Sequence, residues 1–311
     1  MLRKCLLPFF LLLIAISAES QADTSANSKE MVFVSDTQAP MWIETLFLKA
    51  NNNRTATKMI FGDVTKRHPA AVYILGDVVS LGCSNKQWKP MDGYLNALRS
   101  KGTKVHAVLG NHEVLWCAKS GQKKFQQRFH DHVKTGYTNT VDSVAMVLLN
   151  ANFKKLSAAE NATQLLWYRH TLDSLNEDPS VLFIITGCHQ SPYSNSKIVG
   201  SSIAVQQNFV SAFLVSKKSR LFISGHSHNY EHFRQQGKDF LVIGGGGGLH
   251  QPLNEGKDAL PDLSAHYKPM FHYLTIRRRA DTLQLTSVFL KPDFSGFEEG
   301  EKSVVTLAPQ Q

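Results

Sequence analysis

The chain has 311 residues, a formal net charge of +9, 42% hydrophobic and 19% charged residues. That length supplies the core of one large α/β domain or two small ones. A basic balance suits anionic ligands, but the Lys and Arg residues are scattered and their one tight cluster, Arg277 to Arg279, closes a predicted strand. A nucleic-acid groove, in which basic residues alternate with exposed aromatics, is therefore not expected.

Residues 1–22 read as a signal peptide. Arg3 and Lys4 precede an apolar run from Cys5 to Ile16, and Ser20 and Ala22 frame a cleavage point. The run is shorter than the roughly 20 residues of a membrane span, and no later stretch is long enough. Residues 23–311 are thus expected as a single soluble domain, secreted or periplasmic, since no Pro/Ser tract, charge block or repeat marks a linker. Cys83, Cys117 and Cys188 remain after processing. In an oxidising compartment a Cys83 to Cys117 disulfide with Cys188 free is one arrangement, and three reduced thiols is the other.

Strands and helices then alternate. MVFVSD (31–36) reads as a strand and PMWIETLFLKA (40–50) as a helix with Pro40 in its first turn. AAVYILGD (70–77), PMDGYLNALRS (90–100) and KVHAVLGN (104–111) continue as strand, helix and strand. TNTVDSVAMVLLNAN (138–152) reads as two adjacent strands. The segment 156–175 is an amphipathic helix with Ser157 and Glu160 at capping-box spacing. VLFIITG (181–187), VQQNFVSAFLVS (205–216) and RLFISG (220–225) follow as strand, helix and strand, and from Asp239 onward three segments read as antiparallel hairpin strands. The class is α/β, with two sheets face to face, the second more antiparallel, and helices outside.

Apart from the central pair, the strands of the first two-thirds end on residues able to bind metals. They are Asp36 and Gln38; Asp77; Asn111, His112 and Glu113; His189; and His226 and His228. One Gly-Asp or one lone His after a strand is ordinary turn chemistry, but five such endings in one chain suggest a shared site at the carboxyl ends of the strands.

The segments SDTQ, LGDVV, LGNHEV, GCHQSP and SGHSHNYE resemble, in order, the D-x-H, G-D-x-x, G-N-H-E/D, isolated His and G-H-x-H motifs of the calcineurin-like metallophosphoesterases. Gln164 and Trp167 fit the family's Q-x-x-W pattern, and LVIGGGGG fits its Gly-rich turn. The resemblance implies a four-layer α-β-β-α sandwich of two mixed sheets flanked by helices. It also implies two divalent metal ions per chain, with Asp77 bridging them, Asp36, Gln38 and His228 on the first, and Asn111, His189 and His226 on the second. A hydroxide held between the ions would attack phosphorus while His112 acts as general acid on the leaving group. The expected partner is a small phosphorylated substrate.

Two residues depart from the motifs. Gln38 stands where the family usually has His, and its neutral amide oxygen favours a harder ion such as Mn²⁺ or Mg²⁺, with Fe and Zn also compatible with the set. A similar D-x-Q occurs in manganese-dependent ADP-ribose/CDP-alcohol diphosphatases. Ser80 stands where purple acid phosphatases carry an iron-binding Tyr, although GHSHNYE and GCHQSPYSN are similar to that branch. The rival readings are a diphosphatase for ADP-ribose-like compounds, a non-catalytic phosphate-binding protein and a nuclease. Gly244 to Gly248 lacks the Lys-Ser/Thr of a P-loop and reads as a tight turn under the site. His250, His266 and His272 read as solvent-facing loop residues, Cys188 as unrelated to catalysis, and Asn161 as a sequon inside a capping turn.

Overall fold

The computed structural model describes residues 28–264 and 269–307, so the signal-peptide reading of 1–22 and the expectation for His266 lie outside the described residues. Strands β1 (Glu30–Val34), β2 (Ala71–Ile74) and β3 (Lys104–Ala107) run parallel. They are extended through β1 by the antiparallel β10 (His272–Arg279), β11 (Thr282–Leu290) and β12 (Phe297–Thr306), in the order β12-β11-β10-β1-β2-β3. The second sheet has the order β4-β5-β6-β7-β9-β8. It is built from β4 (Tyr137–Val141), β5 (Val144–Leu148), β6 (Phe183–Gly187), β7 (Ser219–Ser224), β8 (Tyr230–Gln235) and β9 (Lys238–Ile243).

Burial of both sheet faces explains the unbroken apolar runs of the parallel strands. Period-two alternation sends Met31 and Phe33 of β1 into the core between the sheets, where they meet Leu148, Ile185 and Ile223. Val32 and Val34 point the other way, onto helices α1 (Asn53–Arg67), α2 (Asn85–Ser100) and α3 (Ala118–Gln126). The outer face of the second sheet packs on α4 (Ala158–Glu177) and on a helical run over 203–215 whose centre, Gln206–Val210, is π-helical. Both sheets are mixed and each carries helices on its outer face, which gives the four-layer α-β-β-α sandwich.

Several expectations need correction. Residues 40–50 do not form a helix, and only Glu44–Leu46 makes a 3₁₀ turn, because Trp42, Leu46 and Phe47 meet no core and stay exposed. The helix lies further on, at α1, where Ala56, Ile60, Phe61 and Val64 recur at helical spacing and are buried. Each of the larger side chains Ile60, Phe61 and Val64 stabilises the fold by about 2 kcal/mol. Helix α2 starts at Asn85, capped by the Ser84 side chain, five residues before the expected start at Pro90. The strands after Asp239 do not form one antiparallel sheet: β9 runs parallel to β7 in the second sheet, whereas β10 to β12 complete the first. Helix α3 and strands β8 and β12 were not anticipated. The Ser157–Glu160 capping box is present as expected. Cys83 and Cys117 form a disulfide, and Cys188 is buried and free.

Candidate metal centre

The loops that leave β1, β2, β3, β6 and β7 meet at one edge of the sandwich, laced by main-chain hydrogen bonds. Asp36 N donates to Gly76 O and Gln38 N to Asp77 O, both at 3.1 Å, while Gly225 N donates to His189 O at 2.9 Å. Asp36, Asp77 and His226 adopt left-handed backbone conformations, with φ of 58°, 48° and 68°. Such conformations cost non-glycine residues about 1 kcal/mol or more each. Here they are held by side-chain contacts that cross between loops: Asp36 Oδ2 accepts from His226 N at 2.9 Å, and Asp77 Oδ1 accepts from His112 N at 2.8 Å.

The side chains form two adjoining groups. In one, His189 Nε2 lies 3.2 Å from Asp77 Oδ2 and 3.0 Å from Asn111 Oδ1. Ligand atoms of Asp77, His189 and His226 all lie within 4.8 Å of one another. In the other group, His228 Nε2 is 3.4 Å from Asp36 Oδ1 and 3.4 Å from Gln38 Nε2. Asp36 links the two through the main chain of His226. His112 Nε2 sits 3.7 Å from Asp77 Oδ2. All eight expected site residues are therefore brought together.

Two features fit this cluster to cations. Asp36 Oδ1 and Gln38 Oε1 are buried acceptors with no hydrogen-bond partner, an arrangement that native interiors rarely leave without a ligand or ion. The histidines are also pre-aimed. Nδ1 of His189 lies 2.9 Å from Leu75 O, that of His228 2.6 Å from Leu249 O and that of His112 2.9 Å from Ser80 O. A carbonyl can only accept, so each Nδ1 carries the proton and Nε2 faces the centre. Carboxylate, imidazole and amide oxygen together form a set suited to first-row divalent ions.

Burial opposes charge on Asp77, but His189 and His112 outweigh it and hold the carboxyl well below its usual range. His189 is likewise penalised by burial, yet Asp77 and Asp36 raise it to about 10. His226 is pushed down to about 3 by burial and by repulsion from His189. Such opposed shifts among touching groups mark a site organised around charge.

Glu113 is not at the centre. Its carboxylate accepts from the main-chain N–H groups of Asp77, Val79 and Gly110 at 2.8–3.1 Å, tying the β2 and β3 loops together. Burial and the Asp77 charge push it up to about 7 in spite of those donors. The glycine turn serves packing, as expected. Gly246 N and Gly248 N donate to Ser35 O and Asp36 O, and a side chain at Gly248 would collide with the His228 ring. Gln164 is structural too, exchanging two bonds with the Asn150 main chain. The expectation for His272 is overturned: it is buried in β10, with Nδ1 against Met270 O. His250 is half-buried and packs on Phe271 at 4.6 Å.

Glu44 is the site residue that the sequence reading missed. Its Oε1 lies 3.8 Å from His112 Nε2, and its Oε2 accepts from Met41 N at 2.6 Å. The only sequence signal for it is a single acid in the apolar run MWIETLFL, a run whose spacing matches a helix. A cleft of about 390 Å³ opens over Asp77, Asn111, His112, His226 and His228, and is bordered by Glu44, Phe47, Leu48, Ile198, Val199 and Gln251.

The calcineurin-like phosphoesterase family model matches residues 30–230. No curated protein matches the chain in sequence. Among solved structures, purple acid phosphatase PPD1 from yellow lupin (Lupinus luteus) superposes with a TM-score of 0.69 at 16% identity, covering 90% of this chain and 54% of its own. The chain thus spans about half the length of that protein. GAP50, the anchor in the inner membrane complex of Plasmodium, gives 0.61 at 14% identity over 90% of this chain and 89% of its own. A dimetal phosphatase from Danio rerio gives 0.53 at 14% identity over 90% and 99%. With the family model covering well over half the sequence, and with the strand-end residues gathered around Asp77, the chain belongs to the calcineurin-like phosphoesterase family of metal-dependent phosphoester hydrolases.

Proposed function

We propose that this chain is an exported dinuclear phosphoesterase that acts on small phosphate esters, with the chain from residue 23 as its single catalytic domain. Asp36, Gln38, Asp77, Asn111, His189, His226 and His228 would hold the ions, with Asp77 shared between the Asp36–Gln38–His228 group and the Asn111–His189–His226 group, and the Gln38 oxygen would favour Mn²⁺. The observation that carries the reading is the convergence of Asn111, His189 and His226 on Asp77 beside the unpartnered Asp36 Oδ1 and Gln38 Oε1. When bound, the ions activate the attacking water and neutralise the phosphoryl oxygens.

The chain's own residues do the rest. His112 Nδ1 is tied to Ser80 O, so Nε2 is the atom that gives a proton to the departing oxygen, and this requires the doubly protonated ring. Burial disfavours that form, but Asp77, the Ser80 carbonyl, Glu44 and Glu113 together raise the His112 pKa. In the purple-acid-phosphatase-like branch, Ser80 in place of the iron-binding Tyr leaves the protein without charge-transfer colour.

The test is metal analysis of the purified protein together with hydrolysis of phosphomonoester and phosphodiester panels with added Mn²⁺. Two ions per chain and a metal-dependent rate are expected. A rate no higher than that of Asn111→Ala would instead favour a phosphate-binding protein without turnover, a reading that Gln38 motivates.

A further inference from the structure

The lining of the cleft over the centre bears on the substrate. Phe47, Leu48, Ile198 and Val199 line the same cavity as His112, and none of these four carries a polar side chain. Phe47 is 83% exposed and Ile198 55% exposed. Apolar surface is thus left uncovered beside a cluster of buried charges. The one charged group at the border of this cleft is an acid: Glu44 is fastened by its bond to Met41 N and reaches to 3.8 Å from His112 Nε2. A carboxylate is an unusual neighbour for a phosphate site, because it repels any further anion in the low-dielectric cleft. A neighbouring cleft shares Asn111 and is also partly apolar, through Val114, Leu115 and Phe153, but it carries Lys154 and Lys155, where a second anionic group would be welcome.

Resting on the phosphoesterase reading above, we infer that the alcohol released by this enzyme is uncharged and apolar, an alkyl or aryl group. It is seated against Phe47, Leu48, Ile198 and Val199, and Glu44 excludes leaving groups that carry another anion. The argument for a substrate group as occupant is continuity. The apolar walls and His112 belong to one cavity, so the oxygen that takes the His112 proton has these side chains as its surroundings. In R–O–PO₃²⁻ + H₂O → R–OH + HPO₄²⁻, the P–O bond to R breaks, the water oxygen bonds to phosphorus, and the leaving oxygen takes the proton from His112, which one proton of the water restores. The released alcohol remains against Phe47 and Ile198, and phosphate remains at the centre.

The experiment measures kcat and KM for a series of n-alkyl phosphates from ethyl to octyl, and for ADP-ribose, on the metal-loaded full chain. Calorimetric binding of the matching alkyl phosphonates is measured alongside. Each added methylene is expected to lower KM and the phosphonate Kd about three- to fourfold until the walls are covered, with kcat nearly constant. Phe47→Ser and Ile198→Ser should each flatten that slope. Glu44→Gln should narrow the gap between octyl phosphate and ADP-ribose.

Hydrolysis without any dependence on chain length overturns this inference and leaves the phosphoesterase reading intact. So does a higher kcat/KM for ADP-ribose than for octyl phosphate, which assigns the second phosphoryl group to the Lys154–Lys155 cleft. A concentration-dependent dimer that Phe47→Ser dissolves, with no chain-length slope, assigns the walls to a second copy of the chain. Absence of both hydrolysis and phosphonate binding overturns the underlying reading itself.

Discussion

His112, His189 and His228 direct Nδ1 to main-chain carbonyls, so the backbone decides which imidazole nitrogen faces the centre. Replacing Asn111 by Ala removes an oxygen 3.0 Å from His189 Nε2. It is expected to lower metal-dependent hydrolysis by about 100-fold or more, read as kcat/KM at saturating Mn²⁺ with an unchanged circular dichroism spectrum. Gln38→His exchanges an amide oxygen for a softer imidazole nitrogen, so the relative loading of Zn²⁺ over Mn²⁺ should rise, measured by competitive metal loading. Glu113→Ala tests a structural residue. It leaves the main-chain N–H groups of Asp77, Val79 and Gly110 without their buried acceptor, at a cost of about 3 kcal/mol or more. Denaturant unfolding would record the loss even in metal-free protein.

At the level of elements, segment 40–50 shows how local pattern and tertiary need diverge. Its apolar spacing suits a helix, yet no core lies beneath it, and Trp42 and Phe47 remain exposed where α1 supplies the buried face instead. The short turn that results is what carries Glu44 to His112. The Cys83–Cys117 bond fastens the approach to α2 onto the start of α3, beside the Asn111–Glu113 loop, across a sequence separation of 34. Closing a loop of that length stabilises a fold by about 4 kcal/mol through the unfolded chain. A Cys83→Ser/Cys117→Ser double variant should lose up to about that much in thermal or urea unfolding, with Cys188 giving no compensation because it is buried apart from the pair.

Across the whole molecule, burial of neutral histidines makes the fold acid-labile. Burial lowers His132, His250 and His272 to about 4 from an ordinary 6.5, and His132 packs against the rings of Phe125 and Tyr137. For a group whose folded pKa is depressed, the stabilisation is fully present above the unfolded value and is lost as pH falls through the folded one. Stability should therefore decline from about pH 6.5 to pH 4. His132 alone contributes about 3 kcal/mol of the fall, and His132→Phe should reduce the slope in metal-free protein. The same burial explains why His272 was misread from sequence. It lies beside LVIGGGGG in space, but nothing in its neighbours along the chain shows that β10 crosses beneath the glycine turn.

The parallel strands, the capping box of α4 and the strand-end residues from Asp36 to His228 were readable in the amino-acid order. Buried strands demand continuous apolar runs, and a polar residue placed at a strand end follows that run directly along the chain. The sharing of late strands between two sheets, the tying of three loops by Glu113 and the placing of Glu44 and Phe47 beside His112 came only from the folded molecule. Each depends on contacts between residues distant in sequence, which local pattern does not encode.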